Sequence, residues 1–141
     1  MEILSTLNQN QKQAAMTIDS HVRIIAGAGS GKTRVLMARI VYLIKECGVW
    51  PNRILAITFT NKATNEMKER LFAQLDTQAQ QVRISTIHAL CVRILREDAL
   101  EIGYPSSFTI LDSDDQKAIL RPIHKKMDIQ VKALPFGKVL N

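Results

Sequence analysis

The segment from Ala26 to Thr33 has residue types and a spacing that suit the binding of phosphate groups. Its sequence, AGAGSGKT, fills the pattern [AG]xxxxGK[ST]. In such a loop the glycines let backbone N–H groups point inward, the lysine reaches the β- and γ-phosphates, and the threonine hydroxyl ligates Mg²⁺. The pattern predicts a nucleoside triphosphate site with ATP and Mg²⁺ as cofactors. The candidate nucleotide-binding residues are Ala26, Gly27, Ala28, Gly29, Ser30, Gly31, Lys32, Thr33 and Arg34. Lys32 and Thr33 are also the catalytic candidates, and Thr33 is the candidate Mg²⁺ ligand.

Two other interpretations of the loop have to be weighed. The first is that the loop is a glycine-rich turn between a strand and a helix that binds no ligand. The sequence Gly-Lys-Thr argues against this, because these residues do not favour a purely structural turn. The GxGxxG turn of a dinucleotide site fails, because Gly27 and Gly29 are followed by Lys32 where that pattern requires glycine. The phosphate loop is therefore the favoured interpretation.

The elements around the loop are those that a phosphate loop needs. The β-branched run at residues 21–26 predicts a strand that leads into the loop. The apolar segment from Lys32 to about Cys47 predicts a helix that is buried on most sides. Before the strand, residues 8–18 favour a helix with Asn8 as its cap.

Two further pairs of a strand and a helix follow along the chain. Residues 54–59 form a continuous apolar run, as in a parallel strand that is covered on both faces, and a helix from Thr60 or Asn61 to about Leu75 comes next. Residues 81–85 predict a weaker strand, followed by a helix over residues 86–97. The repeated order of strand, turn and helix predicts an α/β fold with a parallel sheet.

The pattern after residue 107 is less regular. Residues 108–111 (FTIL) predict a strand, and Asp112 is a candidate cap for a helix over residues 114–127. Pro122 lies inside this helix and predicts a break or a kink there.

Composition indicates the class of partner. The chain has 141 residues, and 19 basic against 13 acidic side chains give a net charge of +6, which favours a polyanion such as nucleic acid. Cys47 and Cys91 have no CxxC spacing, so neither a disulfide framework nor a zinc site is indicated. The sequence shows no signal-peptide pattern and no run near the ~18 apolar residues of a membrane span. We therefore expect a cytoplasmic protein with no membrane partner.

Five segments resemble, in order and spacing, the first motifs of the UvrD/PcrA/Rep superfamily 1 DNA helicases. They are LNQNQ at residues 7–11, AGAGSGKT at 26–33, ILAITFTNKATNEMKERL at 54–71, ISTIHALCVRILRE at 84–97 and FTILDSDDQ at 108–116. The resemblance covers nearly the whole chain. It implies a P-loop NTPase fold of the RecA-like type, with a parallel sheet flanked by helices. It also implies an ATP-binding part at residues 1–111 and a helical segment at residues 112–141 that leads into an inserted subdomain.

The resemblance assigns roles to residues outside the loop. Gln11 stands where the family places a glutamine that reads adenine; a carboxamide can pair with N6 and N7 of adenine but not with guanine in the same way. Without the resemblance, a solvent-facing helix glutamine is the better interpretation. The family segments that contact single-stranded DNA correspond here to Phe59, Thr60, Asn61, Lys62, Thr86 and His88. Phe59 can stack on a base, with a core position at the strand end as its alternative, and a structural role is equally open for His88.

The chain departs from the family pattern in two places. The TFHS-like turn of the family appears as STIHA at residues 85–89, so the small polar residue after the histidine is missing and one DNA contact is in question. No Asp-Glu pair follows an apolar strand. The acids of ILDSDD at residues 110–115 lie on a connecting segment of the family, and no glutamate stands beside Asp112 to polarise water. The later motifs, with arginines that stabilise charge on the γ-phosphate, lie beyond residue 141.

The resemblance implies the N-terminal part of an ATP-dependent DNA helicase that moves on single-stranded DNA with 3′ to 5′ polarity. Its expected partners are single-stranded DNA, duplex junctions and a second RecA-like domain in the same chain. We expect residues 1–141 to be a fragment that is inactive in isolation. The helicase subunit of a recombination helicase–nuclease shares these motifs and is one alternative. A small P-loop kinase or regulatory ATP-binding module is the other, but it needs a substrate lid and an acidic Mg²⁺ partner, which the sequence does not show.

Overall fold

The computed structural model describes residues 2–140, which fall into two compact units that divide between Ile94 and Leu95. The first unit contains the phosphate loop and the strands, whereas the second is built from helices and turns. The domain boundary after residue 111 that the family resemblance implies stays a prediction.

Two short helices open the first unit, α1 (Glu2–Ser5) and α2 (Gln9–Met16). The Asn8 side chain accepts a hydrogen bond from the Gln11 backbone N–H at 2.9 Å, and the Gln11 side chain accepts one from the Asn8 backbone N–H at 3.0 Å. This reciprocal capping box satisfies two donors that the first turn of a helix leaves without partners. The predicted helix and its Asn8 cap are confirmed, although the helix ends slightly earlier than predicted.

Helix α3 (Lys32–Lys45) follows the phosphate loop directly. It ends just before Gly48, which has the left-handed conformation (φ 67°) that glycine adopts without strain. Its buried residues lie at positions that point to more than one side of the helix: Val35, Met37, Ala38, Ile40, Val41 and Ile44. The prediction of a largely buried helix after the loop is confirmed.

The sheet consists of two parallel strands, β1 (Leu55–Thr58) and β2 (Arg83–Thr86). Helix α4 (Asn61–Leu75) and a 3₁₀ helix (Asp76–Gln81) connect them. Leu55 lies opposite Arg83 and Thr58 lies opposite Thr86, so both strands end at the same edge of the sheet. The two predicted strands and the helix between them are confirmed, with slightly shifted ends.

The main core of the first unit joins α3, α4 and both strands. Its buried residues include Val41 and Leu71, both fully shielded from solvent. Strand β1 faces this core on one side only: Ala56 is 5% exposed, whereas Leu55 is 48% and Ile57 44% exposed. The prediction that both faces of this strand are covered is therefore wrong within the described residues, because the helices supply apolar side chains to one face of the sheet.

The predicted strand at residues 21–26 is also wrong: among the described residues this run pairs with no other strand. It lies at the surface, and Ile25 is 83% exposed. A strand needs a neighbour that pairs with its backbone N–H and C=O groups, and a β-branched sequence cannot supply that neighbour by itself. The same reason applies to residues 108–111, which form no strand either.

Helix α5 (Ile87–Asp98) runs across the boundary between the two units and confirms the predicted helix after β2. In the second unit it is followed by a 3₁₀ helix (Ala99–Ile102), by α6 (Ser113–Lys126) and by α7 (Phe136–Val139). None of the described helices has the length and apolar character needed to cross a membrane.

Asp112 caps α6, as predicted from the sequence. Its Oδ1 accepts hydrogen bonds from the backbone N–H groups of Asp115 and Asp114, each at 2.8 Å. These two hydrogen bonds favour the carboxylate, so they hold the pKa of Asp112 below its ordinary value. A hydrogen bond and charge attraction from Lys117 lower the pKa of Asp114 in turn.

Pro122 does not interrupt α6, which continues to Lys126, so a break is absent and a kink at this proline stays a prediction. Proline removes one backbone donor from the helix, but tertiary contacts support the turn that follows it. The two ring nitrogens of the buried His124 lie 3.1 Å from the Leu120 carbonyl oxygen and 3.0 Å from the Leu134 carbonyl oxygen. The ring of Phe136 meets the imidazole edge-on with the centroids 4.9 Å apart.

Candidate nucleotide and nucleic-acid site

The phosphate loop turns sharply at two glycines. Gly29 has a φ of 73° and Gly31 a φ of 83°, and Gly31 caps the N-terminus of α3. A Cβ atom at Gly31 would lie 3.1 Å from Gln11 Nε2, so a side chain there would be both strained and crowded. The loop therefore delivers the free N–H groups of a helix N-terminus into an open turn, which is the arrangement that binds phosphate oxygens.

Lys32 folds back over its own loop. Its Nζ donates hydrogen bonds to the carbonyl oxygens of Ala26 at 2.9 Å and Gly27 at 2.6 Å. The Ser30 hydroxyl donates to the same Gly27 carbonyl at 2.7 Å, which tightens the turn. The ammonium group is thus held at the mouth of the loop, and phosphate oxygens entering the loop would compete with these carbonyls for it.

Gln11, on α2, contacts the phosphate loop although it lies 19 residues before Ser30 in the chain. Its Nε2 donates to the Ser30 backbone carbonyl at 3.1 Å, while its Oε1 accepts from Asn8 in the capping box. A carboxamide has two N–H donors and an oxygen with two lone pairs, so one donor and one lone pair remain for a base. The structure brings Gln11 and the loop together, as the candidate site requires.

A cavity of about 260 Å³ lies between α2 and the loop. It is lined by Asn8, Asn10, Gln11, Ala14, Ile24, Ile25, Ala26, Ser30, Lys32 and Val35. Arg34 faces a different part of the surface, where its guanidinium donates to the Thr6 carbonyl at 3.2 Å. Gln11 and the loop therefore line the same cavity, whereas the Arg34 side chain contacts the Thr6 carbonyl instead.

A larger cavity, of about 540 Å³, lies elsewhere in the first unit. It is lined mainly by apolar surface of Phe72, Ala79 and Val82 with Lys68, Glu69 and Gln80, none of which belongs to the loop. Size alone would make it the preferred pocket, but its lining contains no residue of a glycine-rich loop and no helix N-terminus. The smaller cavity at the loop is the better candidate because polar groups suited to phosphate and base converge there.

The chemistry of the loop fits a nucleotide with bound Mg²⁺. Thr33 stands in the first turn of α3, next to Lys32, as the hydroxyl ligand does in this pattern. In the part of the chain that the structure describes, no group of three His, Cys, Asp or Glu side chains is placed to hold a metal ion.

The carboxyl ends of β1 and β2 form a second surface. Thr58 and Thr86 are paired in register, and each strand leads at once into a helix. Phe59, directly after β1, is 87% exposed among the described residues, so its ring presents a free surface there. His88 is exposed as the second residue of α5, so the sequence-predicted aromatic and imidazole groups lie at the same edge of the sheet.

The threonines of this edge serve as helix caps. The Thr60 hydroxyl accepts from the Ala63 backbone N–H at 3.1 Å, and the Thr86 hydroxyl accepts from the Ala89 backbone N–H at 3.2 Å. Thr86 is buried, whereas Thr60, Asn61 and Lys62 are exposed. Five of the six predicted DNA contacts are thus exposed, namely Phe59, Thr60, Asn61, Lys62 and His88.

Comparison with known protein families gives a match over residues 7–139 to the UvrD/REP helicase N-terminal domain. The chain belongs to this family. It is 48% identical over 130 residues to the ATP-dependent DNA helicase PcrA of Staphylococcus aureus strain Mu50, and 48% identical over 129 residues to a probable DNA helicase II homolog of Mycoplasma capricolum. Each alignment covers 92% of this chain and 18% of the relative, so the chain spans less than a fifth of their length.

In this UvrD-type N-terminal domain, sequence reasoning missed two contacts that hold the ends of α2. The first is the reciprocal part of the capping box between Gln11 and Asn8, for which the spacing Asn-x-x-Gln was a readable signal. The second is the contact of Arg39 on α3 with the C-terminal carbonyls of α2. No local pattern predicts that contact, because its partners lie more than twenty residues away.

Proposed function

We propose that this UvrD-type chain is the N-terminal, ATP- and DNA-binding part of an ATP-dependent helicase that moves 3′ to 5′ on single-stranded DNA. The whole protein, meaning the longer chain that we propose contains these residues, would act on single strands and duplex junctions. The main support is the contact of Gln11 with Ser30, which sets an adenine-reading carboxamide against a phosphate loop. Family membership over residues 7–139 favours this function over a small P-loop kinase or regulatory module.

The nucleotide side of the proposal follows from the loop geometry. Bound ATP with Mg²⁺ supplies the phosphoanhydride bond whose hydrolysis drives movement. The N–H groups at the start of α3 bind phosphate oxygens, Lys32 exchanges the Ala26 and Gly27 carbonyls for the β- and γ-phosphates, and Thr33 ligates Mg²⁺. Gln11 keeps its hydrogen bond to Ser30 and uses its free donor and lone pair for N7 and N6 of adenine.

The DNA side of the proposal uses the edge where β1 and β2 end. Phe59 presents an exposed ring on which a base can stack, and Lys62, in the first turn of α4, offers a cation for a phosphate. His88 lies after the neighbouring strand, where it can stack or donate a hydrogen bond. Thr86 is buried beside them, so we assign it the role of orienting the start of α5.

The exposed face of the sheet supports the presence of further structure in the whole protein. Leu55 and Ile57 on β1 and Ile25 before the loop present apolar side chains that the described residues leave exposed. We propose that further parts of the RecA-like domain cover these side chains and that a second such domain closes over the nucleotide. Closure would couple the nucleotide state to the DNA edge.

Strand displacement by the whole protein tests this function. Duplexes with a 3′ or a 5′ single-stranded tail are mixed with the protein and Mg·ATP, and release of the labelled strand is measured. We expect ATP-dependent release from the 3′-tailed duplex and little from the 5′-tailed or blunt duplex. Release from the 5′-tailed duplex alone would overturn the polarity, and absence of ATP-dependent release from all three would overturn the helicase assignment.

A further inference from the structure

Arg39 joins the two helices that carry the nucleotide-binding candidates. It lies on α3, and its Nη1 donates to the carbonyl oxygens of Ala14 at 3.1 Å and Ala15 at 3.4 Å and closely to that of Thr17. These carbonyls stand at the C-terminal end of α2, where a helix leaves its last acceptors without intrahelical partners. The guanidinium therefore caps α2 from the side of α3.

Charge and packing both favour this position. A cation at a helix C-terminus is stabilised by the negative end of the helix dipole, and a guanidinium can serve several acceptors at once. Among the described residues no carboxylate forms a salt bridge with Arg39, so the carbonyls of α2 are its partners. Ala15 and Ala38 are fully buried where the helices meet, which lets them approach closely.

The two ends of α2 perform different tasks. Its first turn carries Gln11, which contacts Ser30 of the loop, and its last turn is held by Arg39. Arg39 follows Lys32 by about 10 Å along α3, given the rise of a helix, so its guanidinium lies outside the phosphate cradle. Any effect of Arg39 on a nucleotide must then pass through the placement of α2.

We propose that Arg39 is a positioning residue for base selection. By holding the C-terminal end of α2 on α3, it fixes α2 along its axis and keeps the Gln11 carboxamide at the distance from Ser30 that suits adenine rather than guanine. Without the guanidinium, α2 shifts relative to α3. The base then no longer aligns with the Gln11 carboxamide, whereas the phosphates stay bound in the loop. This inference rests on the proposed adenine-reading role of Gln11.

The test measures affinities of the whole protein for Mg·ATP, Mg·GTP and Mg·tripolyphosphate by displacement of a fluorescent ribose-labelled ADP. Tripolyphosphate has no base, so it reports on the loop alone. The variants are Arg39→Met, Arg39→Lys, Gln11→Ala and the double variant Arg39→Met with Gln11→Ala. Lys45→Met removes an exposed cation from the same helix and is the matched control.

We expect Arg39→Met to lower the ratio of ATP to GTP affinity by about threefold or more and to leave tripolyphosphate affinity unchanged. Arg39→Lys retains the charge but has fewer donors, so its ratio should fall between those of wild type and Arg39→Met. In the Gln11→Ala background, Arg39→Met should change the ratio no further, because both substitutions act on the same contact. Lys45→Met should match wild type.

Three results would overturn the inference. The first is a wild-type ratio of ATP to GTP affinity in folded Arg39→Met. The second is an equal loss of affinity for Mg·ATP, Mg·GTP and Mg·tripolyphosphate. The third is that Arg39→Met lowers the ratio of ATP to GTP affinity in the Gln11→Ala background as much as it does in the wild type. Should Arg39→Met fail to fold in a thermal melt, a wild-type ratio in Arg39→Lys would overturn it instead. An unchanged ratio in Gln11→Ala would remove the base-reading role itself, whereas failure of the Arg39 variants alone would leave that role standing.

Discussion

The Lys32 Nζ donates to the backbone carbonyl of Gly27, five residues before it, at 2.6 Å. The ammonium group therefore already lies over the turn in which phosphates are expected to bind. It can bind them by exchanging the carbonyl oxygens of Ala26 and Gly27 for phosphate oxygens. Such an exchange costs less reorganisation than bringing a solvated lysine in from the surface, because the charge is already positioned.

Lys32→Ala should abolish ATP turnover by the whole protein, because the γ-phosphate loses the nearest cation in its transition state. Steady-state hydrolysis with saturating single-stranded DNA measures the effect. Lys45→Ala, at the far end of the same helix, is the control and should hydrolyse ATP normally. Turnover of Lys32→Ala within about threefold of wild type would contradict the assignment of the loop.

Thr33→Val should weaken the dependence of nucleotide binding on Mg²⁺, because the methyl group that replaces the hydroxyl cannot ligate the ion. A titration of Mg²⁺ at fixed nucleotide concentration measures this dependence. Thr33→Ser retains the hydroxyl and should restore the wild-type response. If the valine variant responds to Mg²⁺ as wild type does, Thr33 is not a ligand.

Phe59→Ala should reduce affinity for single-stranded DNA by about 1–3 kcal/mol, the contribution of one stacked base. The ring is 87% exposed, so its removal should leave the fold and the DNA-free affinity for nucleotide intact. The slope of log affinity against log salt should stay as in wild type, because no phosphate loses its counter-charge. Phe59→Trp, which retains a stacking surface, is the control, and wild-type affinity in Phe59→Ala would exclude stacking at this position.

Lys62→Ala should behave differently from Phe59→Ala although the two residues are near neighbours. If Lys62 neutralises a phosphate, its loss should flatten the slope of log affinity against log salt by up to about one unit. Lys68→Ala, further along α4, removes a lysine at the larger cavity and serves as the comparison. An unaltered salt slope in Lys62→Ala would show that the DNA backbone does not pass over the start of α4.

The stability of α6 should depend on pH through Asp112. Its carboxylate is held at a lowered pKa by two backbone hydrogen bonds, so its contribution is complete above the unfolded value of about 3.9. That contribution is lost as the pH falls through the lower pKa of the folded state. Asp112→Ala should therefore be less helical than wild type at neutral pH, and the difference measured by circular dichroism should shrink in acid.

Asp112→Asn is the matched control for this effect, because its side-chain oxygen still accepts the hydrogen bonds but does not titrate. Its helicity should lie near that of wild type at neutral pH and should change less than wild type on acidification. If Asp112→Ala loses the same helicity as wild type between neutral pH and acid, the cap does not contribute to the acid response.

The sequence by itself determined the features that depend on residues close together along the chain. The Asn8 and Asp112 caps and the helices after the loop and after β1 are set by hydrogen bonds or apolar spacing within three or four residues, and the turn of the phosphate loop by hydrogen bonds within six. Side-chain type and order are sufficient for such contacts, since the partners are always within reach once the helix forms.

Only the tertiary structure decided the features that depend on distant partners. Gln11 meets Ser30 across 19 residues, and Arg39 reaches Thr17 across 22. How the helices cover the sheet decided that Ala56 faces the core whereas Leu55 and Ile57 do not. The same cause explains the failed strand at residues 21–26: its β-branched side chains favour an extended backbone, but strand formation requires pairing with a neighbour whose position no local pattern can specify.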